Sequence, residues 1–555
     1  MINFFKNPKI LIACILFLFV AIRVPGLDLL YHQDENKYAM SVSVADNNTP
    51  HPPLSKEIMV YTAKIFGRDN FRTTPLIFAI ANLLLLYYFV RFKFGHRQAL
   101  WSGILFTVVF YNILASLMVD IDGAILPFFF LLSLIFYFKW QDAQSYRSKI
   151  SWGIFLGLSI ILGFLTKLSF IIVACALTLD FLIERSRKVG KKELARYSLI
   201  ASVMLILLVA SLWAAKFLFS SFNLARTISH ATDYLQISGR AYLQILIQSV
   251  KALIYVSPLL IAPLVFLKRA DWRKLRFFTV FLVLGLIFYL VIFDFSRAAL
   301  DKYLTFIIVP LCIMAGIGLN NVLGSIRSIG YSRLQKNIFL GLSAGLIFIV
   351  FALQFLPHFA PSLYPKEEWI SRIIKLKWNF VFPFTGGSGP VGFYVSWFFI
   401  SMIWLISIAL AVMFFFKKKW LAPVAISILS LGILYNTVFA EEYLFGKING
   451  NSNMLFKNAF TFIKNNSAIK KVITYNDIGG GQLAKIGKYE RRLYAAPKFE
   501  ESYKNILSKF SGHYLVIDIP HLSPDSPYAK HFATCRVIYE ERHGKITSKI
   551  YDCQE

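Results

Sequence analysis

Residues 391–416 read VGFYVSWFFISMIWLISIALAVMFFF and contain no charged side chain. Three lysines follow, and residues 420–440 (WLAPVAISILSLGILYNTVFA) form a second uncharged run. A helix needs about 20 apolar residues to cross the hydrocarbon core of a bilayer. The two runs therefore predict two consecutive membrane-spanning helices joined by a short basic turn.

The same pattern recurs along most of the 555-residue chain, which is 57% hydrophobic and only 16% charged. An ordinary soluble domain is about 25% charged. The composition excludes a disordered, fibrous or disulfide-scaffold protein and predicts a polytopic α-helical membrane protein with about 13 transmembrane helices. The predicted spans are residues 10–26, 73–92, 98–118, 121–139, 151–168, 169–184, 197–219, 250–267, 277–294, 302–323, 337–357, 391–416 and 420–440.

The distribution of charge among the loops predicts the orientation of the protein. The chain has 59 Lys and Arg against 30 Asp and Glu, a net charge of +29. Alternate loops, beginning with residues 1–9, hold 25 of the basic residues and only four acidic ones. Because cytoplasmic loops of membrane proteins are rich in Lys and Arg, we predict a cytoplasmic N-terminus and a first span that is a retained anchor. The excess of Lys and Arg in the cytoplasmic loops explains the net positive charge, so no nucleic-acid partner is predicted.

The C-terminal tail has no spanning run and a different composition. We predict a transmembrane domain over residues 1–445 and a small soluble α/β domain over residues 446–555, placed outside the cytoplasm by an odd number of spans. The predicted tail elements are helices at 454–464 and 500–510 and strands at 472–475, 514–519 and 536–539. Cys535 and Cys553 would lie in an oxidising compartment. The sequence does not decide whether they form a disulfide or stay two free thiols.

Two motifs follow the first span in what is predicted to be an outward loop. Residues 31–38 read YHQDENKY, and residues 51–56 read HPPLSK. Asp34 and Glu35 are adjacent carboxylates just outside a span, which makes them candidates for a general base, although such pairs also occur on solvated faces. Tandem prolines fix φ and remove two backbone donors, giving a stiff turn that would hold His51 and Lys56 in place.

More charged residues stand at span ends on the same predicted side. Asp120 and Asp122 lie at the start of one span, where Asp122 is either a functional carboxylate or a helix N-cap. Lys167 ends another span, and Lys302 begins a third. Lysines in such places are interface anchors or ligands for a phosphate.

These motifs together resemble the protein O-mannosyltransferase family and the related lipid A aminoarabinose transferases, which share the GT-C membrane glycosyltransferase fold. The matching segments are the acidic pair at 34–35, HPPL at 51–54, Asp122 before a small residue, LTK at 165–167 and KYL at 302–304. This sequence departs from the families where Leu168 and Ser169 replace Gly-Pro, and where Lys302 replaces an Arg before Tyr303. The tail does not resemble the β-trefoil domain of eukaryotic members.

The resemblance implies a GT-C type enzyme that transfers a sugar, hexosyl or mannosyl in kind, from a polyprenyl-phosphate donor on the outer side of the membrane. Inversion would use Asp34 as the base, with Glu35 positioning it or acting in its place. Substrate would be bound by His51, Lys56, Asp120, Asp122, Lys167, Lys302 and Tyr303. Asp120 and Asp122 are the candidate ligands for a divalent metal, and no other cofactor is assigned. The acceptor is open: a protein, a lipid glycan or a wall polymer.

Two other classes of protein compete with this interpretation. A polytopic transporter or lipid-linked sugar flippase usually shows internal repeats and ionisable residues near the bilayer midplane. Here the carboxylates lie at span ends on one side, and no repeat is evident. A scaffold acting through its outer tail would need neither the acidic pair nor the Pro-Pro motif.

Overall fold

The computed structural model describes residues 8–31, 35, 38–39, 51–67, 71–186, 191–220, 222–235, 239–294, 301–329, 332–356, 366–384, 392–416, 421–475, 480–493, 507, 512–517 and 525–553. The chain divides into two compact units. The first unit comprises Met1–Leu27 and Lys37–Tyr331, and the second comprises Asp28–Asn36 and Ser332–Glu555. This division differs from the predicted domain boundary at residue 445, which stays a prediction about the membrane and soluble parts.

The first unit is helical. Its helices are α1 (Pro8–Arg23), α2 (Leu54–Phe66), α3 (Thr73–Lys93), α4 (His96–Val108), α5 (Phe110–Leu117), α6 (Leu126–Asp142), α7 (Tyr146–Thr166), α8 (Ile171–Ser186), α9 (Lys191–Leu218), α10 (Leu224–Tyr234), α11 (Tyr242–Ile261), α12 (Arg269–Lys274), α13 (Arg276–Ile287) and α14 (Ile308–Ile329).

The second unit combines helices with strands. Its helices are α15 (Arg333–Ala352), α16 (Lys366–Ile374), α17 (Trp397–Phe416), α18 (Leu421–Leu444), α19 (Ser452–Asn465), α20 (Gly480–Lys485) and α21 (Pro527–Ala533). Its strands are β1 (Val381–Phe384), β2 (Phe393–Ser396), β3 (Val472–Tyr475), β4 (Tyr489–Leu493), β5 (His513–Ile517), β6 (Arg536–His543) and β7 (Ile546–Asp552).

Many of these helices are long and apolar enough to cross a bilayer. In the described part of the chain, eight helices have the length and composition of a membrane span, or nine if the bent pair α4 and α5 is counted as one span. Three shorter apolar helices, Leu205–Leu218, Arg276–Ile292 and Trp397–Met413, coincide with further predicted spans. The remaining predicted span, 169–184, corresponds to the 16-residue helix α8. The prediction of a polytopic helical membrane protein is confirmed.

The predicted span at 98–118 is broken. Helices α4 and α5 meet at an angle of 65°, because Val109 has an extended backbone. A break inside an apolar environment leaves carbonyl groups without their helical donors. Buried Arg23 donates to the carbonyl of Thr107 at 3.2 Å, and Asn112 donates to the carbonyl of Phe106. Buried polar side chains therefore stabilise a bend that hydropathy alone could not predict.

An ion cluster joins α6, α8 and α13 within the first unit. Arg276 donates from Nε to Asp180 at 2.7 Å and from Nη1 to Glu184 at 2.8 Å. Tyr137 donates its hydroxyl to the second oxygen of Asp180 at 2.8 Å. The side chain of Asp180 is 3% exposed, whereas that of Glu184 is 40% exposed. Asp180 is thus the buried centre of the cluster.

We expect Asp180→Leu to lower the free energy of unfolding by about 3–5 kcal/mol, because it leaves the Arg276 charge without its buried partner. Glu184→Gln is the matched control and should cost at most about 1 kcal/mol, since its carboxylate is half in solvent. Unfolding of the purified protein in detergent, followed by a thiol-reactive dye, measures both. Equal losses for the two variants would contradict the assignment of Asp180 as the centre.

The five-stranded sheet of the second unit has the order β4-β3-β5-β7-β6. Strand β3 pairs in parallel with β4 and β5, while β7 pairs antiparallel with β5 and β6. Because side chains alternate across a strand, Val472 packs with Leu455 of α19 on one face, and Ile473 packs with Phe532 of α21 on the other. The C-terminal sheet region is thus an α/β layer structure, as predicted.

Some elements of this region differ from the prediction. The helix expected at 454–464 and the strands expected near 472, 514 and 536 are present. The helix expected at 500–510 lies almost wholly outside the described residues. Strand β4 was missed because YERRL carries three charges, and β7 because Ser548 and Lys549 interrupt its apolar pattern.

A disulfide joins Cys535 and Cys553, so the open alternative of two free thiols is excluded. The bond ties the start of β6 to the end of β7, where Arg536 faces Asp552 in the antiparallel register. We expect Cys535→Ala/Cys553→Ala to lower the free energy of unfolding of this region by about 2–4 kcal/mol. Limited proteolysis of the tail with and without reductant tests this. Reductant should sensitise the wild type and leave the double variant unchanged.

Candidate functional site

The first two residues of the site precede α6 in the first unit. Asp120 has an extended backbone, and its Oδ1 accepts hydrogen bonds from the backbone N–H groups of Ile121 and Asp122. The capping role considered for Asp122 therefore falls to Asp120, and the carboxylate of Asp122 is not the N-cap. A Cβ on Gly123 would collide with the backbone of Ala115, so this close approach requires glycine after Asp122.

Each aspartate forms a buried ion pair with one of the predicted lysines. Lys302 Nζ donates to Asp120 Oδ2 at 2.6 Å, and Lys167 Nζ donates to Asp122 Oδ2. Lys167 is the residue that ends α7, and Lys302 lies in the 3₁₀ turn Asp301–Ile307. The structure therefore brings together four charged residues that lie up to 182 positions apart in the sequence.

The two pairs are also fixed through the backbone. Thr305 lies one turn after Lys302, and its hydroxyl is within 3.2 Å of the carbonyl of Asp122 and 2.7 Å of that of Lys302. Burial alone would raise the pKa of the Asp120 carboxyl, but attraction to Lys302 and Lys167 outweighs it and lowers that pKa to about 2. Asp120 is therefore ionised throughout the physiological pH range and can keep its ion pair with Lys302.

Aromatic rings surround the lysines. Lys167 Nζ lies 4.7 Å from the centroid of the Tyr303 ring, and Lys302 Nζ lies 5.6 Å from it. Lys302 Nζ is also 5.9 Å from the centroid of the Tyr38 ring, which in turn lies 6.2 Å from the ring of His51. Tyr303, predicted as a site residue, is thus the ring that both ammonium groups share.

His51 lies at the site but carries no charge there. Burial, followed by repulsion from Lys167 and from the neighbouring His230, lowers the pKa of His51 well below its usual value. A neutral imidazole offers one donor and one acceptor but no positive charge. His51 can therefore bind substrate through a hydrogen bond, whereas the cations of the site are the lysines.

Lys56, Glu35 and Asp34 are the remaining predicted site residues. Lys56 lies in the first turn of α2 and is buried, 8% exposed. Glu35 is described as part of the second unit, where its side chain is buried. Asp34 lies outside the described residues, so its assignment as the base stays a prediction.

Sequence reasoning missed the contribution of α10. His230 faces His51 edge to face with ring centroids 5.5 Å apart, and Tyr234, one helical turn on, lies 5.0 Å from His230. The available signal was the i, i+4 spacing of two ring residues in a short amphipathic segment. That segment was predicted only as part of an outward loop.

The site does not fit a resident divalent metal. Mg²⁺ and Ca²⁺ need several oxygen ligands free to face the ion. Asp120 and Asp122 each have an ammonium group in hydrogen-bond contact instead. Among the described residues, the one cluster with metal-ligand spacing is His531, Cys535 and Cys553, whose sulfurs are consumed by the disulfide.

Comparisons with known proteins show which families this chain resembles. Residues 50–213 match the family model described as dolichyl-phosphate-mannose-protein mannosyltransferase. Comparison with the curated protein sequences finds no match. The matched range contains the HPPL motif, both aspartates and Lys167, but neither Asp34 nor Lys302.

Solved structures extend the similarity to the whole chain. Crystal structures of ArnT from Cupriavidus metallidurans, in the apo state and bound to undecaprenyl phosphate, share 14% identity, cover 97% of this chain and 97% of theirs, and have a TM-score of 0.52. The Archaeoglobus fulgidus oligosaccharyltransferase in the apo form shares 12% identity over 92% of this chain and 69% of its own, with a TM-score of 0.45. The chain therefore has the GT-C fold and resembles the protein O-mannosyltransferase and ArnT group of membrane glycosyltransferases.

Proposed function

We propose that this protein transfers a sugar from a polyprenyl-phosphate donor to an acceptor on the extracytoplasmic side of the membrane. The observation that carries the proposal is the pair of buried contacts that Lys302 and Lys167 make with Asp120 and Asp122. The undecaprenyl phosphate bound to ArnT supports a polyprenyl carrier for this chain. The loop charges support a cytoplasmic N-terminus, with the site and the region 446–555 outside.

The paired lysines suit a phosphate leaving group. Cleavage of the bond between the anomeric carbon and the phosphate oxygen leaves an electron pair on that oxygen. Two ammonium groups already held in position can stabilise this charge without reorganising when it develops. The aspartates hold the lysines in place, and an ammonium group has three N–H donors, so each lysine can donate to the phosphate while it stays paired with its aspartate.

The acceptor needs a base. In the proposed step the acceptor oxygen or nitrogen attacks the anomeric carbon from the side opposite the phosphate, which inverts that centre. Asp34 takes the acceptor proton, and Glu35 orients the acceptor or replaces Asp34 in this role. Lys56 and the neutral His51 would bind the phosphate or the sugar hydroxyls, and Tyr303 would keep both ammonium groups on its ring face.

The direct test uses purified protein in liposomes with undecaprenyl-phosphate-[³H]mannose, the glucose and arabinose analogues, and a mixture of peptide and glycan acceptors. Wild type should release or transfer labelled sugar, and Lys167→Met should not. The remote variant Glu184→Gln should match wild type. Movement of the labelled lipid between leaflets without cleavage of its sugar would instead support the flippase alternative.

A further inference from the structure

We propose that a ring of six aromatic side chains beside the lysines is the binding wall for the donor's sugar, and that this sugar is uncharged. His230 and Tyr234 of α10 supply the stacking faces. This inference rests on the proposed function and deepens it by naming the class of sugar. Tyr38, His51, His230, Tyr234, Phe293 and Tyr303 form the ring, called here the aromatic ring wall.

Each ring of the aromatic ring wall lies close to the next one. Successive ring centroids lie 6.2 Å apart for Tyr38 and His51, 5.5 Å for His51 and His230, 5.0 Å for His230 and Tyr234, 5.0 Å for Tyr234 and Phe293, and 5.1 Å for Phe293 and Tyr303. Lys302 closes the circuit, since its Nζ lies near the rings of both Tyr303 and Tyr38. The six rings and Lys302 thus form a closed circuit of contacts.

The part of the wall on α10 is anchored. The backbone N–H of Asp294 donates to the carbonyl of Tyr234 at 2.6 Å, and Leu235 forms a β-bridge with Phe293. Arg240 donates to the carbonyls of Val291 and Phe293. Tyr234 is therefore fixed to the end of the segment that carries Phe293. A fixed ring can stack on a ligand without a large loss of side-chain freedom.

The position of the wall matches a sugar next to a phosphate. The sugar of a polyprenyl-phosphate donor is joined directly to the phosphate, so its ring must lie beside the cations that bind the phosphate. Five of the six rings are only partly buried, and Tyr303, the most buried, contacts the lysines. One face of a pyranose is made of C–H groups, which pack on aromatic faces while the hydroxyls reach polar neighbours.

The charges around the wall disfavour a cation. Asp120 and Asp122 already hold one ammonium group each. Burial, with Lys167 and Lys302 contributing, lowers the pKa values of both His51 and His230. An ammonium group on the sugar would meet the same cost that lowers these pKa values, first of burial and then of repulsion by Lys167 and Lys302. A hydroxylated sugar without charge avoids it.

The test compares two lipids in nanodiscs, undecaprenyl-phosphate-mannose and sugar-free undecaprenyl phosphate. We expect Tyr234→Leu and His230→Leu to weaken binding of the mannosyl lipid about tenfold and leave undecaprenyl phosphate unchanged. Tyr234→Phe keeps the ring face and should restore the affinity for the mannosyl lipid to within about twofold of wild type. Tyr242→Leu removes an exposed aromatic side chain outside the wall and serves as the matched control.

A donor panel tests the charge of the sugar. Wild type should bind undecaprenyl-phosphate-mannose at least about tenfold more tightly than the 4-amino-arabinosyl lipid at pH 7. Equal or tighter binding of the amino sugar would overturn the inference, as would Leu variants that weaken both test lipids equally. So would binding of undecaprenyl phosphate that no attached sugar improves. Failure of wild type to bind any of these lipids would overturn the proposed function itself.

Discussion

Replacement of Asp34 by asparagine is expected to reduce sugar transfer by about 10²–10⁴-fold, the usual contribution of a positioned general base. Asparagine has almost the same shape but cannot accept the acceptor's proton at neutral pH. Binding of the donor should stay close to wild type, because the proposed phosphate ligands, Lys167 and Lys302, are unchanged. Single-turnover transfer from labelled donor, with donor binding measured separately in nanodiscs, separates the two effects.

The neighbouring acids provide the controls for this prediction. Asp28→Asn removes an exposed carboxylate from the 3₁₀ turn Val24–Asp28 and should leave transfer unchanged. Glu35→Gln should cause a smaller loss than Asp34→Asn if Glu35 only positions the acceptor. If Glu35→Gln abolishes transfer and Asp34→Asn retains it, the base is Glu35. Full activity in both variants would exclude the acidic pair from the chemistry.

The positions of the charged site residues could be predicted from the sequence because membrane topology restricts them strongly. Asp120, Lys167 and Lys302 each stand where an apolar run begins or ends. Once alternate loops are assigned to one side, such span ends must lie at the same surface of the bilayer. What topology cannot give is which lysine contacts which aspartate, since that depends on how the helices are arranged around one another.

Features that depend on tertiary packing could not be predicted from the sequence. The break between α4 and α5 depends on buried Arg23, which is 93 residues from its partner Ser116. Helix α10 lies in a segment whose apolar content is too low for a span, so hydropathy did not mark His230 as a site residue. The sequence could not decide between a disulfide and two free thiols for the same reason. Cys535 and Cys553 are 18 residues apart and become neighbours only through the register of β6 and β7.

Lys302→Met is expected to lower transfer by about 10²–10³-fold, the typical cost of removing one preorganised group that stabilises developing negative charge. Lys302→Arg keeps the charge and matches the residue found in the resembling families. Its activity should therefore lie between those of Lys302→Met and wild type. The rate should be measured at saturating donor, because a lysine that binds only the ground state would change the KM and leave kcat unaltered.

This variant needs a control for stability, because it leaves Asp120 buried without its ammonium partner. Removal of one member of a buried pair costs about 3–5 kcal/mol, whereas replacement of both can be nearly neutral. Asp120→Asn/Lys302→Met should therefore unfold close to the wild-type temperature and still be inactive. Recovery of activity together with stability in the double variant would show that the pair is structural, and would leave Lys167 as the cation for the phosphate. Persistent inactivity in a stable double variant would show that the loss of transfer does not come from lost stability, and would support a role of the pair in the reaction.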